Sequence, residues 1–183
     1  MSITDTPPVP INVITSTRRK KTVSARWVGN TIEVRAPEGL PSGELDRHVR
    51  VLSERLQRRR ASEVVDLDKR ARQLAALYDL PKPSSITWSS RQKQRWGSCT
   101  PSTGAIRISD RMSEFPDWVL DYVIVHELAH LIEANHSPAF HRLVDAFPKA
   151  ERAEGFLLAV SLGHAGNIGS SPNDDPCVSI ADE

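Results

Sequence analysis

The chain has 183 residues, of which 39% are hydrophobic and 26% are charged, and its formal net charge at pH 7 is +1. This length suits one domain of ordinary size with terminal tails, and the hydrophobic content supports a packed core. No stretch approaches the ~20 apolar residues of a transmembrane helix, so we expect no membrane partner.

The cysteines and the first residues indicate the cellular compartment. The only cysteines are Cys99 and Cys177, and Cys177 lies in a polar segment, so a disulfide framework is not expected. Residues 1–8 contain neither the basic region nor the apolar region of a signal peptide. Together these features predict a cytoplasmic protein.

Charge is distributed unevenly along the chain. Residues 1–110 contain 20 Lys and Arg against 11 Asp and Glu, a net charge of +9, whereas residues 111–183 contain 4 against 12, a net charge of −8. This asymmetry indicates an anionic partner for the basic N-terminal half, and nucleic acid is one candidate. The alternative is that Arg58, Arg59 and Arg60 lie on the solvated face of a helix.

The first half is predicted to contain a β-hairpin followed by two helices. Gly29-Asn30 separates two runs rich in β-branched residues, which is typical of a two-residue hairpin turn. The predicted strands are residues 11–14, 22–28 and 31–35, and the predicted helices are residues 41–60 and 62–78. We expect residues 1–10 to be disordered.

The second half is predicted to contain three short strands and then three helices. The strands are residues 85–89, 94–98 and 105–109, and the helices are residues 116–134, 137–147 and 149–162. Ser137 is the predicted N-cap of the second helix, with Pro138 at its first position. We expect a single domain over residues 11–162 and a disordered acidic tail over residues 163–183.

Residues 126–136 contain the most informative pattern in the sequence. His126 and His130 are four residues apart, so on a helix both side chains lie on one face and can reach one Zn²⁺ at about 2.0–2.1 Å. Glu127 is adjacent to the first ligand, where its carboxylate can accept a proton from a water bound to the metal. His136 follows where the helical pattern ends and can be a third ligand. Three protein ligands leave the fourth position open, as in catalytic zinc sites.

The alternative for these residues is a surface helix with solvated His and Glu side chains. The neighbouring residues argue against it, because this is the most apolar helix predicted in the chain. Burying two histidines and a glutamate without partners costs several kcal/mol, and a metal ion would provide a partner. We therefore predict that the chain binds Zn²⁺.

The third ligand distinguishes between classes of zinc enzyme. The spacing of the three histidines equals that of the metzincins, but Glu133 occupies the position of the metzincin glycine, and both methionines lie upstream, so no Met-turn can follow. A thermolysin-like site would use a glutamate from a later helix, for which Glu151 and Glu154 are candidates. His136 is closer in sequence and follows a turn-permissive asparagine, so we predict His136.

Several motifs in the chain resemble those of a known family. They are Arg95-Trp96-Gly97-Ser98-Cys99, then Gly104 and Ile106, then residues 121–130, and then Asn135-His136-Ser137 and Phe140. Together they resemble the YgjP-like group of bacterial metallopeptidases, which is related to the SprT-like and WLM zinc proteases. The resemblance is close over residues 90–147 and diffuse before them.

The resemblance implies an α+β fold of the zincin-like minigluzincin type, with a small antiparallel sheet packed on the zinc-binding helix and further helices beside it. It identifies the domain over residues 11–162 as YgjP-like. It also implies that His126, His130 and His136 bind the metal and that Glu127 is the general base. One departure concerns His141, because the family often has Trp at this position, and this changes the expected pocket lining but not the metal site.

Three further residues are candidates for substrate binding or pocket lining: Trp96, Tyr122 and His141. Trp96 and Tyr122 have the alternative of being core residues, and His141 has the alternatives of a partly exposed helical histidine or a fourth ligand. A strand at residues 95–99 or 105–109 can pair with an extended substrate beside the helix.

The metal ligands are also expected to have supporting hydrogen-bond partners. A ligating histidine usually donates its other N–H group to a carboxylate or to a carbonyl. Asp121, Glu133 and Asp145 are the nearby acidic candidates, and backbone carbonyls are the alternative.

These patterns predict a zinc-dependent hydrolase, namely a peptidase that cleaves peptide bonds in a peptide or protein substrate with a Glu127-activated water. The alternative is a nucleic-acid-associated protein of the SprT-like kind, in which the basic N-terminal half contacts DNA phosphates. Hydrolysis of a non-peptide bond by the same groups is a third interpretation.

Overall fold

A computed structural model describes residues 9–165 of the chain. Contacts between Cα atoms divide the chain into two compact units, residues 1–60 and 61–183. The single domain over residues 11–162 stays a prediction. Most residues of the two predicted disordered ends lie outside the described range, but residues 163–165 belong to the last helix, which is longer than predicted.

The first unit consists of a three-stranded sheet and a long helix. Its strands are β1 (Ile11–Ser16), β2 (Ser24–Val28) and β3 (Thr31–Pro37), and its helix is α1 (Ser42–Ser62). The strand order is β1-β3-β2, with β1 parallel and β2 antiparallel to β3. Gly29 has φ +62° in the connection between β2 and β3, as the predicted hairpin turn requires.

Helix α1 is largely exposed to solvent. The only buried residues along it are Ser53 and Ser62. The indole N–H of Trp27 in β2 donates to the carbonyl of Leu56 at 3.4 Å, and the guanidinium of Arg60 lies 4.6 Å from the centre of the Trp27 ring system. These two contacts attach the sheet to the helix within this unit.

The second unit contains the hydrophobic core and most of the helices. Its elements are α2 (Leu67–Leu77), β4 (Ser85–Ser89), β5 (Gly97–Thr100), β6 (Ala105–Ser109), a short 3₁₀ helix (Asp110–Glu114), α3 (Asp117–Ala129), α4 (Pro138–Val144) and α5 (Ala150–Ala165). Helix α3 contacts α2, α4, α5, β5 and β6, and ten of its 13 residues are buried. The predicted α+β fold, with a small sheet packed on the helix that carries His126 and His130, is therefore confirmed.

The sheet in this unit is mixed, whereas an antiparallel sheet was expected. Strand β6 lies in the centre, antiparallel to β5 and parallel to β4. The chain between β4 and β6 contains β5, which forms a hairpin with β6 through residues 101–104, where Gly104 has φ +66°. Strand β4 therefore reaches the other edge of β6 in the same direction as β6, and the apolar alternation of a short strand does not specify this direction.

Helix α3 ends at Ala129, five residues before the predicted end at residue 134. After this point the backbone amides of Leu131 and Ile132 donate to the carbonyls of Leu128 and Ala129, three residues back, at 3.0 Å each. This tighter turn closes the helix because the following residues 134 and 135 are exposed and provide no further apolar face.

The start of α4 agrees with the sequence prediction. The hydroxyl of Ser137 accepts a hydrogen bond from the amide of Phe140 at 3.2 Å, and Pro138 occupies the first turn. Within residues 9–165, no helix is both long enough and apolar enough to cross a bilayer.

Candidate metal centre

Helix α3 presents two histidines on one face. His126 and His130 are 4% and 8% exposed, and their ring centroids are 4.9 Å apart. His130 is the C-cap residue of the helix and keeps a right-handed backbone conformation, so the i, i+4 relationship persists at the end of α3. The predicted pair therefore forms at the place where the chain begins to reverse.

The turn after α3 brings a third histidine back to this pair. The Nε2 atoms of His126 and His136 are 3.2 Å apart, and one ligand atom from each of the three histidines lies within 4.8 Å of the other two. Two nitrogens bound to one tetrahedral zinc ion would be about 3.3 Å apart. In the part of the chain that the structure describes, no other such group of three His, Cys, Asp or Glu is found.

The protonation of the histidines suits metal binding, which requires neutral imidazoles. Burial lowers the pKa of His126 well below its ordinary value, with smaller contributions from the other three nearby histidines. Burial also lowers the pKa of His130, although its hydrogen bond to the Glu133 carbonyl opposes this shift.

Hydrogen bonding also orients the histidine rings. Nδ1 of His130 lies 3.0 Å from the carbonyl oxygen of Glu133, so this nitrogen donates its proton and Nε2 keeps its lone pair. Nδ1 of His126 is buried without a hydrogen-bond partner among the described residues. Metal binding through Nε2 of this ring would offset part of the free energy that its burial costs, and it would leave Nδ1 without a partner. The three side chains therefore fit a zinc ion.

Phe140 of α4 contributes an apolar wall to the cluster. Its ring centroid lies 4.7 Å from that of His126, 4.5 Å from that of His130 and 4.7 Å from that of His136. The ring is 1% exposed, so it excludes water from this side of the histidines. In the sequence Phe140 is visible only as part of a motif, because its closeness to all three rings depends on the turn between α3 and α4.

Glu127 follows His126 in helix α3, is buried, and is not one of the clustered ligands. It is 4% exposed, and burial raises the pKa of its carboxyl group to about 8, while the positive charge of Arg95 partly opposes this rise. Its side chain lies directly against Gly97 of β5. The burial and the raised pKa agree with a group that exchanges a proton, and the catalytic assignment stays a prediction.

The structure buries two of the three candidate pocket residues and exposes the third. Trp96 is 2% exposed and packs in the core against Phe115, at a centroid distance of 5.1 Å. Tyr122 is also buried, and its hydroxyl donates to Oε1 of Glu154 at 2.6 Å. His141 is exposed on α4, with its ring centroid 6.4 Å from that of His136. Only His141 therefore has a solvent-exposed position beside the metal cluster.

No acidic side chain has the role at the metal cluster that the sequence left open for it, either as third ligand or as hydrogen-bond partner of a ligand, among the residues described below. Glu154, a candidate third ligand, accepts the hydrogen bond from Tyr122 and does not belong to the metal cluster. Asp121 is paired with Arg70 of α2, and Asp145 is exposed. Among the supporting partners, Glu133 contributes its backbone carbonyl to His130 and accepts with its carboxylate from Ser137.

Two solved structures and one protein family are similar to this chain. The chain resembles the metallopeptidase zymogen of Pyrococcus abyssi abylysin, with 20% identity and a TM-score of 0.47 over 52% of this chain and 94% of that one. It also resembles the metallopeptidase zymogen of Methanocaldococcus jannaschii jannalysin, with 17% identity and a TM-score of 0.45 over 52% and 97% of the two chains. No curated protein matches significantly. A family model described as the YgjP-like metallopeptidase domain matches residues 29–157, and the chain belongs to this family.

Proposed function

We propose that this protein is a zinc-dependent peptidase in which His126, His130 and His136 hold the metal and Glu127 is the general base. The observation that carries this proposal is the convergence of three imidazoles, two of them buried, at the end of the helix that also buries Glu127, whose carboxylate does not join them. Imidazole nitrogen is a preferred ligand of Zn²⁺, and three protein ligands leave one position for water or substrate. When bound, zinc would supply the Lewis acidity that polarises a peptide carbonyl and lowers the pKa of water.

Glu127 is suited to moving a proton during hydrolysis. Because burial raises its pKa to about 8, its carboxylate is a stronger base than that of an exposed glutamate and can hold a proton near neutral pH. In the proposed reaction it accepts the proton of the attacking water and passes this proton to the leaving amine.

The sheet offers one edge strand beside α3 for binding an extended peptide. Strand β6 is paired on both sides, so residues 105–109 have no free edge. Strand β5 lies at the edge of the sheet and contacts α3. Of the two strands considered from the sequence, β5 is therefore the one that we propose for main-chain pairing with substrate.

Nucleic acid binding by the basic N-terminal half is the alternative, and internal contacts account for some of its charge. Arg26 and Arg35 both pair with Glu33, at 3.0 and 2.8 Å. Arg58 lies 3.8 Å from Glu54, and Arg60 lies over Trp27. Nucleic acid binding and a cytoplasmic location both stay predictions.

The proposal is tested by the substitution Glu127→Gln in an assay with denatured protein as substrate, with and without single-stranded DNA. We expect hydrolysis to fall by about 10²–10⁴-fold or more while zinc stays bound, because the amide cannot accept the proton and the three histidines are unchanged. The matched control is Glu151→Gln on the exposed start of α5, which should keep full activity.

Two outcomes would contradict the assigned roles. Loss of zinc from Glu127→Gln would indicate that the carboxylate is a ligand. Full activity with zinc retained would favour a structural zinc site. Hydrolysis that requires DNA would support the nucleic-acid-associated alternative.

A further inference from the structure

We propose that Gly97 is a positioning residue for Glu127, because the absence of a side chain at this position of β5 leaves the space that the Glu127 side chain occupies. The catalytic consequence rests on the proposed role of Glu127 as general base. The steric relationship between the two residues does not depend on that role.

The distances leave no room for a larger residue. A Cβ atom at Gly97 would overlap Oε1 of Glu127 and would lie 2.8 Å from both Cδ and Cγ of that side chain. Carbon atoms in contact normally lie about 3.5–4.0 Å apart. Because Cγ is among the overlapping atoms, rotation of the carboxylate alone would not relieve the contact, so the whole Glu127 side chain would have to change its rotamer.

The backbone at Gly97 does not itself require glycine. Among the described glycines, positive φ angles occur at Gly29 and Gly104 and not at Gly97. An alanine could therefore adopt the backbone conformation of Gly97 without strain. The requirement for glycine is one of space, and it concerns the contact with Glu127.

Strand β5 is held in place by its pairing with β6 and by contacts of the preceding residue, Trp96. The carbonyl of Trp96 accepts a hydrogen bond from the amide of Ser109 at 2.8 Å, and the guanidinium of Arg111 lies 4.0 Å from the centre of the Trp96 ring system. Gly97 itself is paired with Ile108, which is fully buried in β6. The strand therefore cannot easily move away to make room for a methyl group.

Glu127 has little space into which it can move. Its neighbours in α3 are buried, and the helix packs on elements of the second unit on several sides. A methyl group at position 97 would thus displace the carboxylate from the position that it occupies against β5. A misplacement of about 1 Å in a catalytic geometry can cost about 10²-fold in rate.

The first test measures activity and zinc content of Gly97→Ala. We expect kcat to fall about 100-fold with zinc retained and with KM changed by less than about threefold, because the metal ligands are unaffected. The double variant Gly97→Ala/Glu127→Gln should be no less active than Glu127→Gln alone. The control is Gly155→Ala, since an added Cβ there meets no atom within 4 Å and kcat should stay unchanged. A wild-type kcat in Gly97→Ala would overturn the proposal.

The second test uses thermal unfolding and needs no substrate. In the same excess of zinc, Gly97→Ala should lower Tm by roughly 3–10 °C in the wild-type background and by less than about 2 °C in a Glu127→Ala background, where the overlapping atoms are absent. Equal shifts in both backgrounds would overturn the steric proposal. If Gly97→Ala does not fold, the Glu127→Ala background should restore folding, and failure to do so counts against the proposal as well. Full activity of Glu127→Gln would instead contradict the proposed function, and it would not affect the steric coupling between Gly97 and Glu127.

Discussion

Helices α1 and α3 both carry histidine and glutamate, but in opposite environments. Helix α1 has 21 residues, and apart from two serines none of them is buried. Helix α3 has 13 residues and buries ten, including His126 and Glu127. His48 of α1, by contrast, is exposed. The imidazole of His48 is therefore hydrated, whereas the imidazole of His126 is removed from water.

This difference indicates where a polar residue must have a specific role. An exposed histidine or arginine keeps its hydration and needs no partner, so its replacement changes little. A histidine in the apolar core costs free energy unless something binds it. We therefore expect the effects of substitution to be large around α3 and small along α1.

The largest effect is expected for His126→Ala. Removing one of three ligands should reduce zinc content after dialysis from about one ion per chain to near zero. Stability should fall as well, because metal binding adds about 2.7 kcal/mol when free zinc is 100 times the dissociation constant. His48→Ala is the matched control and should keep both zinc and stability. Equal zinc loss in the two variants would contradict the comparison of the helices.

A large effect is also expected for Phe140→Ala, which leaves every proposed ligand in place. Loss of a fully buried phenylalanine typically destabilises a protein by about 3–5 kcal/mol. Because the Phe140 ring contacts all three histidines, zinc affinity should fall together with stability. Chemical denaturation and competition with a chelator measure the two quantities. Phe140→Leu keeps most of the apolar volume, so it should lose less stability and less zinc affinity. Unchanged zinc affinity in Phe140→Ala would show that the Phe140 ring does not support the histidines.

The sequence predicted which histidines meet at the site better than it predicted where the helices end and how the strands pair. Spacing four apart on an apolar helix was enough to predict the closeness of His126 and His130. The hairpin turn at Gly29 and the N-cap at Ser137 were also correct, because local backbone chemistry determines both.

Features that depend on tertiary packing were predicted less well. The end of α3 was placed too late, since Leu131 and Ile132 continue the apolar pattern although the helix has already ended. The parallel pairing of β4 with β6 depends on contacts between residues distant in sequence. The contact between Gly97 and Glu127 has the same origin, and a glycine next to a tryptophan in a strand does not reveal which side chain occupies the free space.

Burial also changes the chemistry of a polar group in β5, the strand that contacts α3, namely the thiol of Cys99. Burial, assisted by the charge of Glu127, raises the pKa of the Cys99 thiol to about 12. The Cys99 thiol therefore stays protonated at pH 8. In a Cys177→Ser variant, we expect iodoacetamide to alkylate Cys99 about 100-fold more slowly than an ordinary thiol. This factor already allows for the higher nucleophilicity of a more basic thiolate. The rate should rise about tenfold for each pH unit while the protein remains folded. Rapid alkylation at pH 8 would contradict the raised pKa of this partly buried thiol, and the denatured chain provides the control.

The smallest effect is expected for simultaneous replacement of Arg58, Arg59 and Arg60 by serine. Exposed ion pairs contribute about 0–1 kcal/mol, and the stacking of Arg60 on Trp27 adds a similar amount, so the loss of stability should not exceed about 1–2 kcal/mol. Zinc content and hydrolysis should be unchanged. If the basic N-terminal half binds DNA, affinity must decrease steeply with salt, because each neutralised phosphate releases counterions, and the triple variant must weaken it. DNA affinity that is insensitive to salt and to these substitutions would identify the three arginines as a solvated helix face. Loss of zinc from the triple variant would contradict the contrast between α1 and α3.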